Sequence, residues 1–107
     1  MQSIPGYDNY RVASNGDVWV FINGKFLHTL TPQINNAGYL RINLLSNLGK
    51  WRFFLVHRLV AELYKPNIYD LPDVDHIDGN KMNNNCSNLE WVTHSENMKR
   101  YYKLKSA

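Results

Sequence analysis

Hydrophobic and polar residues alternate with period two over much of the first half of the chain, a pattern typical of half-buried strands. The alternation is clearest in DVWVFI (17–22) and YLRINLL (39–45), and WRFFLV (51–56) is a further strand candidate. Asn-Gly pairs at 15–16 and 23–24 are typical of tight hairpin turns. Together these segments predict one antiparallel sheet with an apolar face and a mixed basic and aromatic face.

The spacing becomes helical in VHRLVAELY (56–64), where apolar residues recur every three to four positions, and KPN (65–67) ends the helix. His57, near the start of this helix, is expected to have a structural role. A chain of 107 residues can build one modest hydrophobic core but not two. We therefore expect an α+β fold in a single compact unit, with a β-rich module over 1–55 and a second part over 56–107.

The second part has a different order of elements. A short strand is predicted at VDHI (74–77), followed by a loop over 78–87 that is rich in asparagine and glycine. A second short strand is predicted at NLEWV (88–92). Thr-x-x-Glu at 93–96 is a capping box, which predicts a helix over about 95–102.

Composition excludes several classes of protein. An apolar share of 44% is too high for a disordered chain, and no apolar run is long enough to cross a bilayer. The first residues lack the basic start and apolar core of a signal peptide, so we expect a soluble intracellular protein. The single cysteine, Cys86, cannot form an internal disulfide and rules out zinc sites built from several cysteines.

The distribution of charge suggests a polyanionic partner. The net charge is +3, and the sequence pI is about 9.1. Acidic residues concentrate in 73–96, whereas the tail carries cations without an acid: Lys99, Arg100, Lys103 and Lys105. A basic body around a small acidic patch predicts phosphate binding around a cation site.

The segments DHIDGNKMNN (75–84) and NLEWVTHSEN (88–97) resemble the HNH nucleases of phage and intron homing endonucleases. The resemblance extends upstream, because IPGYDNYRVASNGDVW (4–19), GYLRINL (38–44) and VHRLVAELY (56–64) are similar to the β-rich DNA-binding module that often precedes an HNH domain. Nearly the whole chain is covered. The resemblance implies that the second part folds as a ββα-metal motif.

The resemblance assigns the signature positions to His76, Asn88 and Asn97, with Asp75 as a metal ligand. A neutral imidazole suits a general base, so His76 is expected to activate water. Asp75 and Asn97 offer hard oxygen ligands for one Mg²⁺ or Mn²⁺, while Asn88 ties the loop to the strand. Asp75 and His76 are adjacent, so their convergence requires the strand to end or twist there, or the phosphate to lie between them.

The resemblance also implies a DNA endonuclease that acts on double-stranded DNA in the cytoplasm of a bacterial or phage-infected cell. A monomer should nick one strand, and a homodimer or a protein partner would supply the second cut. The expected DNA contacts are Arg41, Lys50, Arg52, Lys99, Arg100 and Lys103. For the sheet residues, Trp51 included, a solvated sheet face is an equally good interpretation.

Several alternatives remain open at this stage. The Asp-His pair could be a surface turn, and a zinc site could combine His76, His94 and Cys86. A calcium loop fails on spacing, because Gly79 as its sixth residue would put Val74 at the first ligand position. A non-catalytic DNA-binding module and an RNA-binding or RNA-cleaving protein are the alternative functions.

Overall fold

The computed structural model describes the backbone of residues 1–106 and the side chains of residues 1–103. Among these residues, no helix is both long enough and apolar enough to span a bilayer. The elements in chain order are β1 Gln2–Ile4, β2 Tyr7–Val12, β3 Val18–Ile22, β4 Lys25–Thr29, β5 Gln33–Ile34, β6 Leu40–Leu45, β7 Trp51–Leu55, α1 Val56–Tyr64, β8 Asp73–His76, a 3₁₀ turn Cys86–Asn88, β9 Leu89–Val92 and α2 His94–Ser106.

Both Asn-Gly pairs form hairpin turns, as predicted. At the second pair, Ile22 is opposite Lys25, and the two turn residues have φ of 52° (Asn23) and 76° (Gly24). Such left-handed angles are what a two-residue turn needs to match the twist of its strands. The first pair lies in the β2–β3 turn, where the Gly16 amide donates to the carbonyl of Ala13.

The prediction of a single sheet is wrong. β1 to β4 form a four-stranded antiparallel sheet in chain order, and β5, β6 and β7 form a separate three-stranded one. The break follows β4, where Pro32 has no N–H to donate to a strand ladder. All five residues of β4 are exposed, so this strand has no alternation of burial that a sequence pattern could report.

One core joins both parts of the chain. The alternation in β6 is confirmed, since Ile42 and Leu44 are buried while Asn43 is exposed. The α1 stripe predicted for 56–64 packs into the same cluster, and α1 has the predicted bounds. The largest fully buried side chains of this core come from both sheets, α1 and β9: Val12, Val18, Leu44, Val56, Val60, Leu89 and Val92.

The order of strand, loop, strand and helix in the second part is confirmed. α2 begins one residue before the predicted start and continues four residues beyond Tyr102. The capping box forms in both directions: the Glu96 amide donates to Thr93 Oγ1 at 3.1 Å, and the Thr93 amide donates to Glu96 Oε1 at 3.3 Å. These bonds satisfy amide groups that the helix start would otherwise leave unpaired.

Candidate active site

The site is built on the β8–β9 hairpin and α2. The two strands pair antiparallel, with Asp75 opposite Glu90 and His76 opposite Leu89. Strand β8 ends at His76, where the Gly79 amide donates back to the His76 carbonyl at 2.8 Å. Because β8 ends at His76, the two adjacent side chains are not held on opposite faces of a continuing strand, and both line the pocket described below.

His76 is buried, and one of its ring nitrogens is already engaged. Its side chain is 5% exposed, and Nε2 lies 2.7 Å from Oδ1 of Asn84, which is also buried. An amide oxygen can only accept, so Nε2 must carry the proton and donate it. The neutral ring then has an unprotonated Nδ1, and that nitrogen is the one that can accept a proton from water.

Two rings, those of Tyr39 and His57, pack around this histidine. The centroid of Tyr39 lies 4.8 Å from that of His57 and 5.9 Å from that of His76, and the two histidines are 4.9 Å apart. Burial is the main reason why the pKa of His57 is lowered to about 4, and electrostatic interactions with His76 and Arg58 act in the same direction. His57 is therefore neutral at physiological pH and packs against His76 as an aromatic ring, in line with the structural role expected for it.

A pocket of about 170 Å³ opens at this strand end. Three of the four signature and metal positions expected from the sequence line it: Asp75, His76 and Asn97. The remaining lining residues are Tyr39, Val74, Gly79, Lys81, Met98 and Tyr101. The predicted base and both predicted metal ligands therefore share one small cavity.

The carboxylate of Asp75 is paired with a helix residue. Oδ2 of Asp75 accepts from Arg100 Nη1 at 2.8 Å, and the same nitrogen lies 3.0 Å from Glu90 Oε2. Hydrogen bonds to Asp75 first and Glu90 second raise the pKa of Arg100 above its ordinary value. Arg100, predicted as a phosphate contact beside the metal, is held at the site by these two acids.

Asn97 is held by a second carboxylate on β8. Its Nδ2 donates to Asp73 Oδ2 at 3.1 Å, an atom that also lies 3.0 Å from His94 Nδ1. The hydrogen bond with His94 is the main reason why the pKa of Asp73 is lowered. Because Asn97 uses its amide nitrogen here, its amide oxygen is the atom that can ligate a cation.

The donor set suits a hard cation. Asp75 and Asn97 offer one carboxylate and one amide oxygen to the same pocket, and oxygen ligands are what Mg²⁺ and Mn²⁺ prefer. No group of three His, Cys, Asp or Glu side chains that could hold a metal occurs among the described residues. The zinc alternative built from His76, His94 and Cys86 is therefore not supported.

Asn88 holds the loop between β8 and β9. Its Oδ1 accepts from the Asp78 amide at 3.1 Å, and its Nδ2 donates to Asp78 Oδ1 and to the Asn83 carbonyl, each at 2.9 Å. Its own carbonyl accepts from the Ile77 amide. An amide that both donates and accepts thus ties two points of the loop to the start of β9.

Comparison with known proteins identifies the family. A family model described as HNH endonuclease matches residues 54–99. DNA endonuclease I-HmuI of Bacillus phage SP01 is 43% identical over 98 residues, which is 91% of this chain and 54% of that protein. The chain belongs to the HNH endonuclease family.

Other HNH proteins agree with this assignment. H-N-H endonuclease F-TflII of Escherichia phage T5 is 33% identical over 92 residues, covering 84% of this chain and 46% of that protein. A solved structure described as "DNA binding and cleavage by the HNH homing endonuclease I-HmuI" superposes with a TM-score of 0.81 at 39% identity, covering 99% of this chain and 59% of that one. The chain spans about half the length of these two phage relatives.

The structure does not bring all the predicted DNA contacts of this HNH chain to one face. In the β6–β7 pair, Arg41 is opposite Leu55 while Arg52 is opposite Leu44, so the two arginines point to opposite sides of the sheet. Arg41 lies over the ring of Phe53 at 4.2 Å, and Arg52 lies over Phe54 at 4.8 Å. Three lysines are exposed, one at the β6–β7 turn and two on α2: Lys50, Lys99 and Lys103.

Sequence reasoning missed three residues that contact the site: Tyr39, Lys81 and Asn84. Lys81 and Asn84 belong to the motif quoted from 75–84, so the resemblance could have drawn attention to them. Tyr39 lies 37 residues before His76, and alternation in its strand indicated only that it faces away from Leu40 and Ile42. No local signal could have placed it against two histidines.

Proposed function

We propose that this HNH chain is a divalent-metal-dependent DNA endonuclease that hydrolyses phosphodiester bonds. The observation that carries the proposal is that Asp75, His76 and Asn97 line one pocket of about 170 Å³. The hydrogen bond between His76 Nε2 and Asn84 Oδ1 supports it further, because it leaves Nδ1 as the nitrogen that can accept a proton. A site with one base and two hard oxygen ligands matches what phosphodiester hydrolysis requires.

In this proposal, Nδ1 of His76 accepts a proton from the attacking water. The water oxygen forms a bond to phosphorus, and the bond from phosphorus to the 3′ oxygen breaks. The products are a 5′-phosphate and a 3′-hydroxyl, whose proton comes from solvent. Asn84 and the stacked rings of Tyr39 and His57 keep the imidazole in one orientation and limit its contact with bulk water.

Asp75 and Asn97 are the residues that hold the cation, for which Mg²⁺ and Mn²⁺ are the proposed ions. When bound, it supplies positive charge to the phosphate and to the leaving oxygen. One carboxylate and one amide give a weak site in the free protein. We therefore expect metal affinity to rise when the oxygen atoms of a DNA phosphate join the ligand set.

Double-stranded DNA is the proposed substrate. One of the relatives is named a DNA endonuclease, and the net charge of +3 favours a polyanion. Arg41, Lys50 and Arg52 in the β-rich module, with Lys99 and Lys103 on α2, are proposed as phosphate or groove contacts. A monomer with this one site nicks a single strand, so a double-strand cut requires a dimer or a second binding event on the opposite strand.

The proposal is tested on supercoiled plasmid incubated with Mg²⁺, with Mn²⁺ and with EDTA. We expect open-circle product with either metal and none with EDTA. His76→Ala should abolish nicking, whereas His28→Ala, which changes an exposed histidine on β4, should nick like the wild type. Nicking by His76→Ala at the wild-type rate, or equal nicking in EDTA, would contradict the mechanism.

The second candidate is a DNA-binding module without cleavage activity. The pairing of Asp75 with Arg100 favours it, because a guanidinium already neutralises the proposed metal ligand. The same assay separates the two functions. Tight plasmid binding with no metal-dependent nick at any protein concentration supports the module and excludes the nuclease.

A further inference from the structure

Lys81 places a cation at the rim of the candidate active site. Its Nζ donates to the Ala37 carbonyl at 2.7 Å and lies 4.6 Å from the centroid of the Tyr39 ring. Its side chain runs along Gly38, where an added Cβ would lie 3.5 Å from Lys81 Cδ. The β5–β6 turn of the first module thus holds a loop side chain of the HNH part in one position.

The charges around the pocket make this lysine distinctive. Among the described residues that line the cavity shared by Asp75, His76 and Asn97, Lys81 is the only lysine or arginine. Arg100 on α2 has its Nη1 shared between Asp75 and Glu90. A phosphodiester carries one negative charge, and its hydrolysis builds up a second one in the transition state.

We propose that Lys81 is a catalytic residue, whose ammonium binds a non-bridging oxygen of the scissile phosphate and stabilises the charge that develops there. The inference rests on the proposed nuclease function. An ammonium has three donors, and the Ala37 carbonyl accepts from only one of them. Contact with Tyr39 and Ala37 fixes the charge before the substrate arrives, so little reorganisation is needed during the reaction.

The alternative for Lys81 is a purely structural link between the loop and the β5–β6 turn. Both roles predict that Lys81→Ala harms the protein, so the rate of chemistry must be separated from binding and folding. The variants are Lys81→Ala and Lys81→Arg. Lys25→Ala serves as the matched control, because it removes an exposed lysine on β4 that is not proposed to contact DNA or the site.

Single-turnover nicking at saturating DNA gives the rate of chemistry, and DNA binding in EDTA gives the dissociation constant. We expect Lys81→Ala to lower the rate about 100-fold, which is typical of losing one oxyanion donor. The dissociation constant should rise by about threefold or less, because one phosphate contact of several is lost. Lys81→Arg should recover part of the rate, and Lys25→Ala should match the wild type.

Chemical rescue separates charge from structure. Added ethylammonium chloride should partly restore nicking by Lys81→Ala, whereas tetramethylammonium chloride at the same ionic strength should not. A rate for Lys81→Ala within about twofold of the wild type overturns the proposal. The proposal is also overturned if Lys81→Ala loses rate and melts at a lower temperature, and neither Lys81→Arg nor ethylammonium restores the rate. A wild type that does not nick at all removes the nuclease function itself, which is a separate result.

Discussion

Replacing Asn84 by alanine should disturb the general base without touching it directly. Asn84 Oδ1 lies 2.7 Å from His76 Nε2, and both residues are 5% exposed. Loss of the acceptor leaves a buried N–H unpaired, which costs about 1–3 kcal/mol of stability. The hydrogen bond also selects the tautomer, and a net value of about 1 kcal/mol corresponds to roughly a fivefold preference.

The expected loss of rate in Asn84→Ala has two contributions, one from the tautomer population and one from the ring orientation. If Asn84→Ala makes the two neutral tautomers equally populated, the competent fraction falls only about twofold. Loss of the fixed ring orientation adds to this, so we expect nicking to fall about tenfold in total, as is typical when a supporting residue of a site is removed. A loss confined to twofold would mean that Tyr39 and His57 alone fix the ring.

Asn85→Ala is the matched control for this change. Asn85 is exposed, and its side chain accepts from the Ser87 amide at 3.1 Å as the cap of the 3₁₀ turn. Its removal should cost about 1 kcal/mol, the lower end of the range expected for Asn84→Ala. Because Asn85 makes no hydrogen bond to His76, its variant should nick at close to the wild-type rate despite the lower stability.

The imidazole nitrogen shifts in a ¹⁵N NMR spectrum report the tautomer directly, without any measurement of activity. The wild-type spectrum should show a protonated Nε2 and a bare Nδ1 for His76, and Asn84→Ala should show a mixture. A wild-type His76 protonated at Nδ1 would refute the reasoning, because the nitrogen assigned as the base would then carry a proton.

Three further changes test the support of the site. Gly16→Ala should cost about 1–3 kcal/mol of stability because φ is +97°. It should also slow nicking, because the new Cβ would lie 3.1 Å from Asn84 Cβ. Gly24→Ala is the control: with φ of +76° and nothing within 4 Å of its new Cβ, it should lower the urea midpoint without slowing nicking. Because burial lowers the pKa of His57 to about 4, the unfolded chain binds a proton at this residue at a higher pH than the folded chain does. The free energy of unfolding should therefore drop by up to about 3 kcal/mol as pH falls from about 6.5 to 4, and it should stay constant above about pH 6.5. Urea titrations at pH 7.5 and 4.5 should show a smaller drop in His57→Gln, and an unchanged drop would contradict this assignment. Asn88→Ala removes three hydrogen bonds from a residue that is 8% exposed, so it should cost about 2–4 kcal/mol in the same titration, and a cost below about 1 kcal/mol would show that the loop does not depend on it.

Features of the fold that depend on residues close together in the sequence were predicted correctly, whereas features that depend on distant strand pairing were not. The Asn-Gly hairpins, the 56–64 helix and the capping box each depend on residues a few positions apart, and each was confirmed. The division into two sheets depends on which strands pair, and period-two alternation contains no such information. The exposed β4 adds to the difficulty, because a strand without a buried face has no hydrophobic pattern to detect.

The same distinction explains which parts of the site the sequence could indicate. The motif specified Asp75, His76 and Asn97, because their spacing is fixed by one hairpin and one helix start. What holds His76 comes partly from elsewhere: Tyr39 belongs to the first module, and Gly16 packs against Asn84 from the β2–β3 turn. The β-rich module therefore contributes to the candidate site, since its turns pack behind the proposed base. It follows that the HNH segment separated from residues 1–55 would keep its motif, with Asn84 and His57 beside His76, but lose the packing that Tyr39 and Gly16 add.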